Sequence, residues 1–294
     1  MLVVTLIANP ANPVLTSGLA HSAQQALGAT ALYWLADGIA CDIILADSMS
    51  AAEAIQFLEN ALGALPIDRV VQSADNRRKT LLIADMDSTM IGQECIDELA
   101  DVVGLKAHVS AITSRAMNGE IPFESALRER VALLKGVPAD VVSNVIAERI
   151  TLTPGGKELI ATMKANGGYT ALVSGGFTCF TNPVAAMLGF DENQANILLQ
   201  ENNVFSGLVA EPILGKQAKA DALVAITARL GISPQDAIAV GDGANDLAMI
   251  KMAGSGVALH AKPSVAAQAK HRINHGDLTA LLYMQGYRKT DFVA

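Results

Sequence analysis

The sequence predicts an α/β protein: a Rossmann-like parallel sheet carrying a helical insertion, preceded by a small α+β domain. Three observations carry this. Short apolar runs at Leu81–Ala84, Tyr169–Val173 and Ala237–Val240 alternate with stretches of helical spacing, the pattern of βα units feeding a parallel sheet. Each run stops abruptly at small or acidic residues: Asp85-Met86-Asp87-Ser88-Thr89, Ser174-Gly175-Gly176 and Gly241-Asp242-Gly243-Ala244-Asn245-Asp246. The carboxyl ends of parallel strands are where such sheets open onto a ligand crevice. Finally, no Lys or Arg precedes Arg69, whereas Asp37, Asp42, Asp47, Glu53, Glu59 and Asp68 all do. That stretch therefore carries −6 of the net −8 and reads as a separate unit.

In that first unit, Val3–Ala8, Ala31–Ala36, Cys41–Leu45 and Asp68–Gln72 read as strands, and Val14–Leu27 and Ala51–Leu62 as helices. Asp37-Gly38 between two apolar runs is a hairpin signal. The order is that of a split β-α-β, ferredoxin-like domain. Ser73–Lys79 is a polar linker whose Arg77-Arg78-Lys79 reads as a solvated hinge, so the expected division is 1–76 and 77–294. After the Leu81 strand come four segments of helical spacing: Gln93–Val103, Ala107–Asn118, Phe123–Lys135 and Ala139–Ile150. Inserted there, at about 92–153, they would form a helical cap over the crevice. Gly156–Asn166, Phe177–Leu188, Lys216–Leu230 and Asn245–Lys251 read as helices, Ile197–Gln200 and Val204–Val209 as a hairpin, and Val257–Leu259 and Arg272–Ile273 as final strands.

Composition narrows the function. The 294 residues suffice for two cores. Hydrophobic residues make up 51% of the chain, yet no apolar run approaches the ~18 residues of a membrane span. Leu2–Ala8 follows no basic residue and ends at Asn9-Pro10, so it reads as a strand and not a signal peptide. Cys41, Cys95 and Cys179 are scattered and odd in number, as in a reducing cytoplasm and not a disulfide scaffold. A net charge of −8 argues against nucleic acid as a partner. Asp85 and Asp87 fall on one side of an extended segment. Two anions that close repel unless a cation intervenes, and all-oxygen ligands suit Mg²⁺.

Asp85-x-Asp87-Ser88-Thr89, Val173-Ser174-Gly175-Gly176-Phe177, Lys219 and Gly241-Asp242-Gly243-Ala244-Asn245-Asp246 stand in this order. With them the chain, from Lys79 to its end, resembles the haloacid dehalogenase-like phosphohydrolases, and among these it is similar to the phosphoserine phosphatases. The resemblance implies Mg²⁺-dependent hydrolysis of O-phospho-L-serine, the last step of serine synthesis, through an aspartyl-phosphate. It makes Asp85 the nucleophile and Asp87 the general acid and base. It gives the metal to Asp85, the Asp87 backbone carbonyl and Asp242, with Asp246 supporting that shell. Ser174, Gly175, Lys219 and Asn245 would hold the phosphate or substrate. Lys216 is the neighbour that competes with Lys219.

From the cap, the resemblance makes Glu94 the partner of the substrate ammonium and Arg130 the partner of its carboxylate, with Arg128 as competitor. Met117 and Phe123 would shield that pocket or simply form cap core. The N-terminal unit is similar to ACT-like, small-ligand-sensing domains, though a module for homodimerisation or rigidity fits equally. Two rival functions stay open: a relative acting on, or transferring, another small phosphate, and a non-catalytic amino-acid sensor.

Overall fold

The structure is a computed structural model in which residues 1–46, 49–117 and 120–293 are described. Its N-terminal part runs β1 (Leu2–Ala8), α1 (Ser17–Ala26), β2 (Ala31–Ala36), β3 (Ala40–Ile44), α2 (Ala51–Leu62) and β4 (Ile67–Ser73). Both helices start at side-chain caps, Thr16 for α1 and a Ser50–Glu53 capping box for α2, which satisfy amides that a helix start leaves unpaired. The strands form an antiparallel sheet in the order β2-β3-β1-β4, the ferredoxin-like arrangement expected.

The remainder follows as β5 (Leu81–Ala84), α3 (Cys95–Val102), α4 (Lys106–Met117), α5 (Phe123–Ala132), α6 (Val141–Arg149), α7 (Gly156–Ala165) and β6 (Tyr169–Phe177). Then come α8 (Thr178–Leu188), β7 (Glu192–Asn196), the hairpin β8 (Leu198–Glu201) and β9 (Val204–Val209), α9 (Ala218–Leu230) and β10 (Ala237–Gly241). The chain closes with α10 (Leu247–Met252), β11 (Ser255–Leu259), α11 (Pro263–Ala266), β12 (His271–Ile273) and α12 (Ala280–Met284). A six-stranded parallel sheet has the order β12-β11-β10-β5-β6-β7. The expected α/β class holds. Helices α3–α6 leave the sheet after β5 and return before β6 through a narrow neck. There Ile91 bridges Leu152, Gly92 donates to the Thr151 carbonyl and Thr153 donates to that of Met90.

Three elements have no counterpart in the sequence pattern, the four-residue α11 among them. β7, Glu-Asn-Gln-Ala-Asn, lies at the sheet edge and pairs only with β6, so it needs no apolar run. α12 is buried at all five positions, and a helix apolar on every side shows no period to read.

The linker also differs from expectation. Arg77 pairs with buried Asp42 at 2.8 Å, Arg78 stacks on Tyr287 at 4.2 Å, and Lys79 donates to the Gln235 carbonyl at 2.7 Å. The triplet is pinned and not a solvated hinge. Beside it, Asp68 accepts backbone N–H groups of Asn274, His275 and Gly276, and Gln72 donates to the Met284 carbonyl. β1 is buried on both faces because Val4 and Leu6 face α1 and α2, while Ile7 packs with Val70, Leu282 and Met284.

Candidate active site

β5 lies between β10 and β6, so the carboxyl-terminal parts of these three strands converge. Asp85 follows β5 directly. Its N–H donates to the Val240 carbonyl at 3.0 Å, and its carboxylate accepts the Met86 N–H at 2.7 Å. The chain then makes one wide π-type turn over Met86–Met90, in which Ser88 takes φ +54°. A left-handed backbone at a non-glycine residue is strained, and such strain gathers at functional sites. The turn leads the Asp87 carboxylate to the start of α3, where it accepts the Cys95 N–H at 3.0 Å.

Lys219, near the start of α9, reaches into the same place. Its ammonium lies 2.5 Å from Asp85 Oδ1 and 2.5 Å from Asp246 Oδ1. The other oxygen of Asp246 accepts the Gly243 N–H at 2.9 Å. This packing explains two glycines. A Cβ at Gly241 would lie 2.3 Å from the Asp246 carboxyl carbon, and one at Gly243 would lie 2.2 Å from Asn245 Oδ1.

Carboxylate oxygens of Asp85, Asp242 and Asp246 come within 4.8 Å of one another. The converging donors are all oxygen, which fits a hard divalent cation such as Mg²⁺. Asp87 contributes no carboxylate oxygen to this group, because its side chain is held at Cys95. Asp246 enters it, though both its oxygens already hold Lys219 and Gly243.

The electrostatics follow from burial. Burial and then Asp246 hold Asp85 well above the usual carboxylate range, against the pull of Lys219. Burial opposes charge on Lys219, yet Asp85 and Asp246 keep it firmly protonated. Asp242 is pushed up to about 6 by burial, Asp246 and Glu94. Asp87 is pushed up to about 7 by burial and Glu94, with the Cys95 N–H pulling it back.

On the other wall, Ser174 is buried within β6, where the pairing with β7 turns irregular, and its hydroxyl accepts the Gly176 N–H at 2.9 Å. The Gly175 carbonyl accepts from Asn196, a buried residue that sequence reasoning missed. A polar residue ending a polar strand carries no signal until the sheet places it. Asn245 is partly exposed beside Gly243, and Lys216 is exposed while Lys219 is buried.

The insertion supplies the roof. Exposed Glu94 accepts from the Ser88 hydroxyl at 2.7 Å. Arg130, half-buried on α5, donates to the Ala126 carbonyl and Thr113. Burial lowers its pKa while the charges of Asp97 and Glu94 oppose the shift. Arg128 instead turns outward and pairs with Glu211 across exposed surface. Phe123 comes within 3.8 Å of the place a Cβ on Gly175 would take, so α5 packs directly over the Ser174–Gly176 segment of β6. The side chain of Met117 lies outside the described residues.

Residues 82–251 match the family model of the haloacid dehalogenase-like hydrolases. A phosphoserine phosphatase of Albidiferax ferrireducens is 48% identical over 207 residues, which cover 69% of this chain and 87% of that protein. The chain belongs to the haloacid dehalogenase-like hydrolases, on their phosphoserine phosphatase branch. Solved structures agree with this placement of the hydrolase. A haloacid dehalogenase family hydrolase of Salmonella enterica serovar Typhi superposes with a TM-score of 0.86 at 30% identity, covering 97% of this chain and 98% of that one. A substrate-bound phosphoserine phosphatase superposes with a TM-score of 0.65 at 40% identity, covering 70% of this chain and 98% of that one. Among the described residues of this hydrolase, no helix is long and apolar enough to cross a membrane.

Proposed function

We propose that this hydrolase removes phosphate from O-phospho-L-serine, the step that releases L-serine at the end of serine synthesis. The reading rests on Glu94 and Arg130. Arg130 is half-buried near Asp97 and Glu94, and Glu94 lies close enough to Asp87 and Asp242 to raise both their pKa values. An amino-acid phosphate needs an anionic and a cationic partner beyond its phosphate, and this pair supplies one of each. A guanidinium fork suits a carboxylate in particular.

In this reading an Asp85 oxygen attacks phosphorus, and the bond from phosphorus to the serine oxygen breaks as the aspartyl-phosphate forms. Asp87, with a pKa of about 7, retains a proton near neutrality and gives it to the leaving oxygen. It then takes a proton from the water that hydrolyses the aspartyl-phosphate. The Ser174 hydroxyl, the Gly175 N–H and the Lys219 ammonium hold phosphate oxygens, and Asn245 hydrogen-bonds the substrate. Mg²⁺ bound by Asp85, the Asp87 backbone carbonyl and Asp242 would supply charge neutralisation, letting an anionic nucleophile meet an anionic group. Asp246 supports that site by holding Lys219.

We assign residues 1–76 as the ACT-like domain and 77–294 as the phosphatase domain, with the cap at 92–153 excluding water during reaction. Free Cys41, Cys95 and Cys179 accord with a cytoplasmic setting. The test is initial rates with Mg²⁺ on phosphoserine, phosphothreonine, phosphoethanolamine and an aryl phosphate. Phosphoserine should be preferred, and phosphoethanolamine, which lacks the carboxylate, should be poor. Chelator should abolish turnover, Mg²⁺ restore it and Ca²⁺ inhibit, since its looser coordination holds the nucleophile wrongly. Equal rates on all four esters would reduce the assignment to a generic phosphatase.

A further inference from the structure

We propose that Asn196 is a positioning residue that sets the phosphate cradle and ties it to the segment leading to Lys219. The inference rests on the reading that the Ser174–Gly176 segment of β6 holds phosphate. Asn196 closes β7 and is 2% exposed. Its Nδ2 donates to the Gly175 carbonyl at 2.9 Å and to the Leu214 carbonyl at 3.4 Å, and its Oδ1 accepts the Leu214 N–H at 2.7 Å.

The Gly175–Gly176 peptide is planar, so its carbonyl and its N–H point to opposite edges. Asn196 grips the carbonyl edge, while the Ser174 hydroxyl accepts the Gly176 N–H at 2.9 Å. Two successive glycines would otherwise be the freest part of the backbone. Clamped from both edges, this peptide cannot rotate without breaking a buried hydrogen bond. Because the Ser174 oxygen already accepts the Gly176 N–H, the serine's one hydroxyl proton remains to be donated to a phosphate oxygen. The same amide holds both polar groups of Leu214. Gly215 follows, where an added Cβ would lie 4.0 Å from the Phe123 ring, and α9 with Lys219 begins shortly after. One buried side chain thus joins the oxygen cradle, the cap contact and the approach to the lysine.

The test uses the full chain. Asn196→Asp keeps the shape and the acceptor for Leu214 but deletes the donor to Gly175; Asn196→Ala deletes both. Binding of inorganic phosphate in the presence of Mg²⁺ is measured by calorimetry, together with kcat and KM on phosphoserine and inhibition by L-serine. In both variants phosphate should bind roughly tenfold more weakly, the scale of one lost hydrogen bond, and KM should rise in step. Inhibition by L-serine, which lacks the phosphate, should stay at the wild-type value. A merely structural role would instead lower kcat and the binding stoichiometry through a smaller folded fraction, leaving the phosphate Kd unchanged. That result would overturn the proposal. Should Asn196→Asp fail to fold, Asn196→Ala and Asn196→Ser decide by the same Kd. If the wild-type chain binds phosphate but does not hydrolyse phosphoserine, the substrate reading fails while the Kd comparison still tests Asn196.

Discussion

The Lys219 ammonium lies 2.5 Å from Asp85 Oδ1 and 2.5 Å from Asp246 Oδ1, so one buried cation joins the end of β5 to the loop after β10. Losing one partner of a buried ion pair typically costs ~3–5 kcal/mol, because the charge left behind has no compensation. Lys219→Met should lower the unfolding free energy by about that much in chelator. Mg²⁺ should restore part of it, since a cation that binds only the folded state stabilises it. Denaturant titrations with and without Mg²⁺ measure both effects. Wild-type stability of the variant in chelator would contradict a charged triad.

Two arginines on α5 occupy different environments. Arg130 is half-buried near Asp97 and Glu94, whereas Arg128 meets Glu211 in exposed surface. Removing one partner of a closed-off charge contact costs ~2–5 kcal/mol, so Arg130→Ala should lower kcat/KM for phosphoserine by roughly 30-fold or more. Turnover of an aryl phosphate should hardly change. Arg128→Ala should change either rate by less than about threefold, as exposed pairs contribute ~0–1 kcal/mol. Comparable losses from the two alanines would reverse these roles.

Asp68 binds the N-terminal sheet to the parallel one. Its carboxylate accepts N–H groups of Asn274, His275 and Gly276. The Gly276 contact is buried and the other two are partly so; a buried donor left unsatisfied costs ~1–3 kcal/mol, so Asp68→Ala should destabilise the chain by about 2 kcal/mol. Asp68→Asn keeps one acceptor oxygen and should lie between. By the same contacts, residues 77–294 alone should retain turnover yet melt below the full chain. A fragment that melts with the full chain would show that the interface contributes nothing.

His271 should make the protein acid-sensitive. It is buried in β12, its Nε2 has no hydrogen-bond partner among the described residues, and burial with Lys270 and Lys79 depresses its pKa to about 4. Above the ordinary value of 6.5 the ring is neutral folded or unfolded, and the residue adds no pH dependence. Below it the unfolded chain takes up a proton that the native state refuses, so stability falls as pH drops from 6.5 towards 4. The gap corresponds to about 3 kcal/mol. Urea midpoints across that window should fall in the wild type and flatten in His271→Gln. An identical slope in the variant would assign the acid loss elsewhere.

The sequence by itself determined the family and where its motifs stand along the chain. Asp85 and Asp242 each directly follow an apolar strand and Ser174 follows the apolar stretch of β6, and such positions can be located because the apolar-to-polar change is local along the chain. The same locality made the ferredoxin-like order legible from residues 2–73, and left the polar edge strand β7 and the wholly apolar α12 unreadable. Tertiary structure alone decided which carboxylates converge. Asp246 joins Asp85 and Asp242, while the wide turn after Asp85 leads the Asp87 side chain to the Cys95 N–H. It also decided that Arg77 pairs with Asp42 and that Asn196 grips Gly175. These are contacts between residues far apart in sequence. A lone polar side chain carries no period, and its role depends on what the fold brings within hydrogen-bond reach.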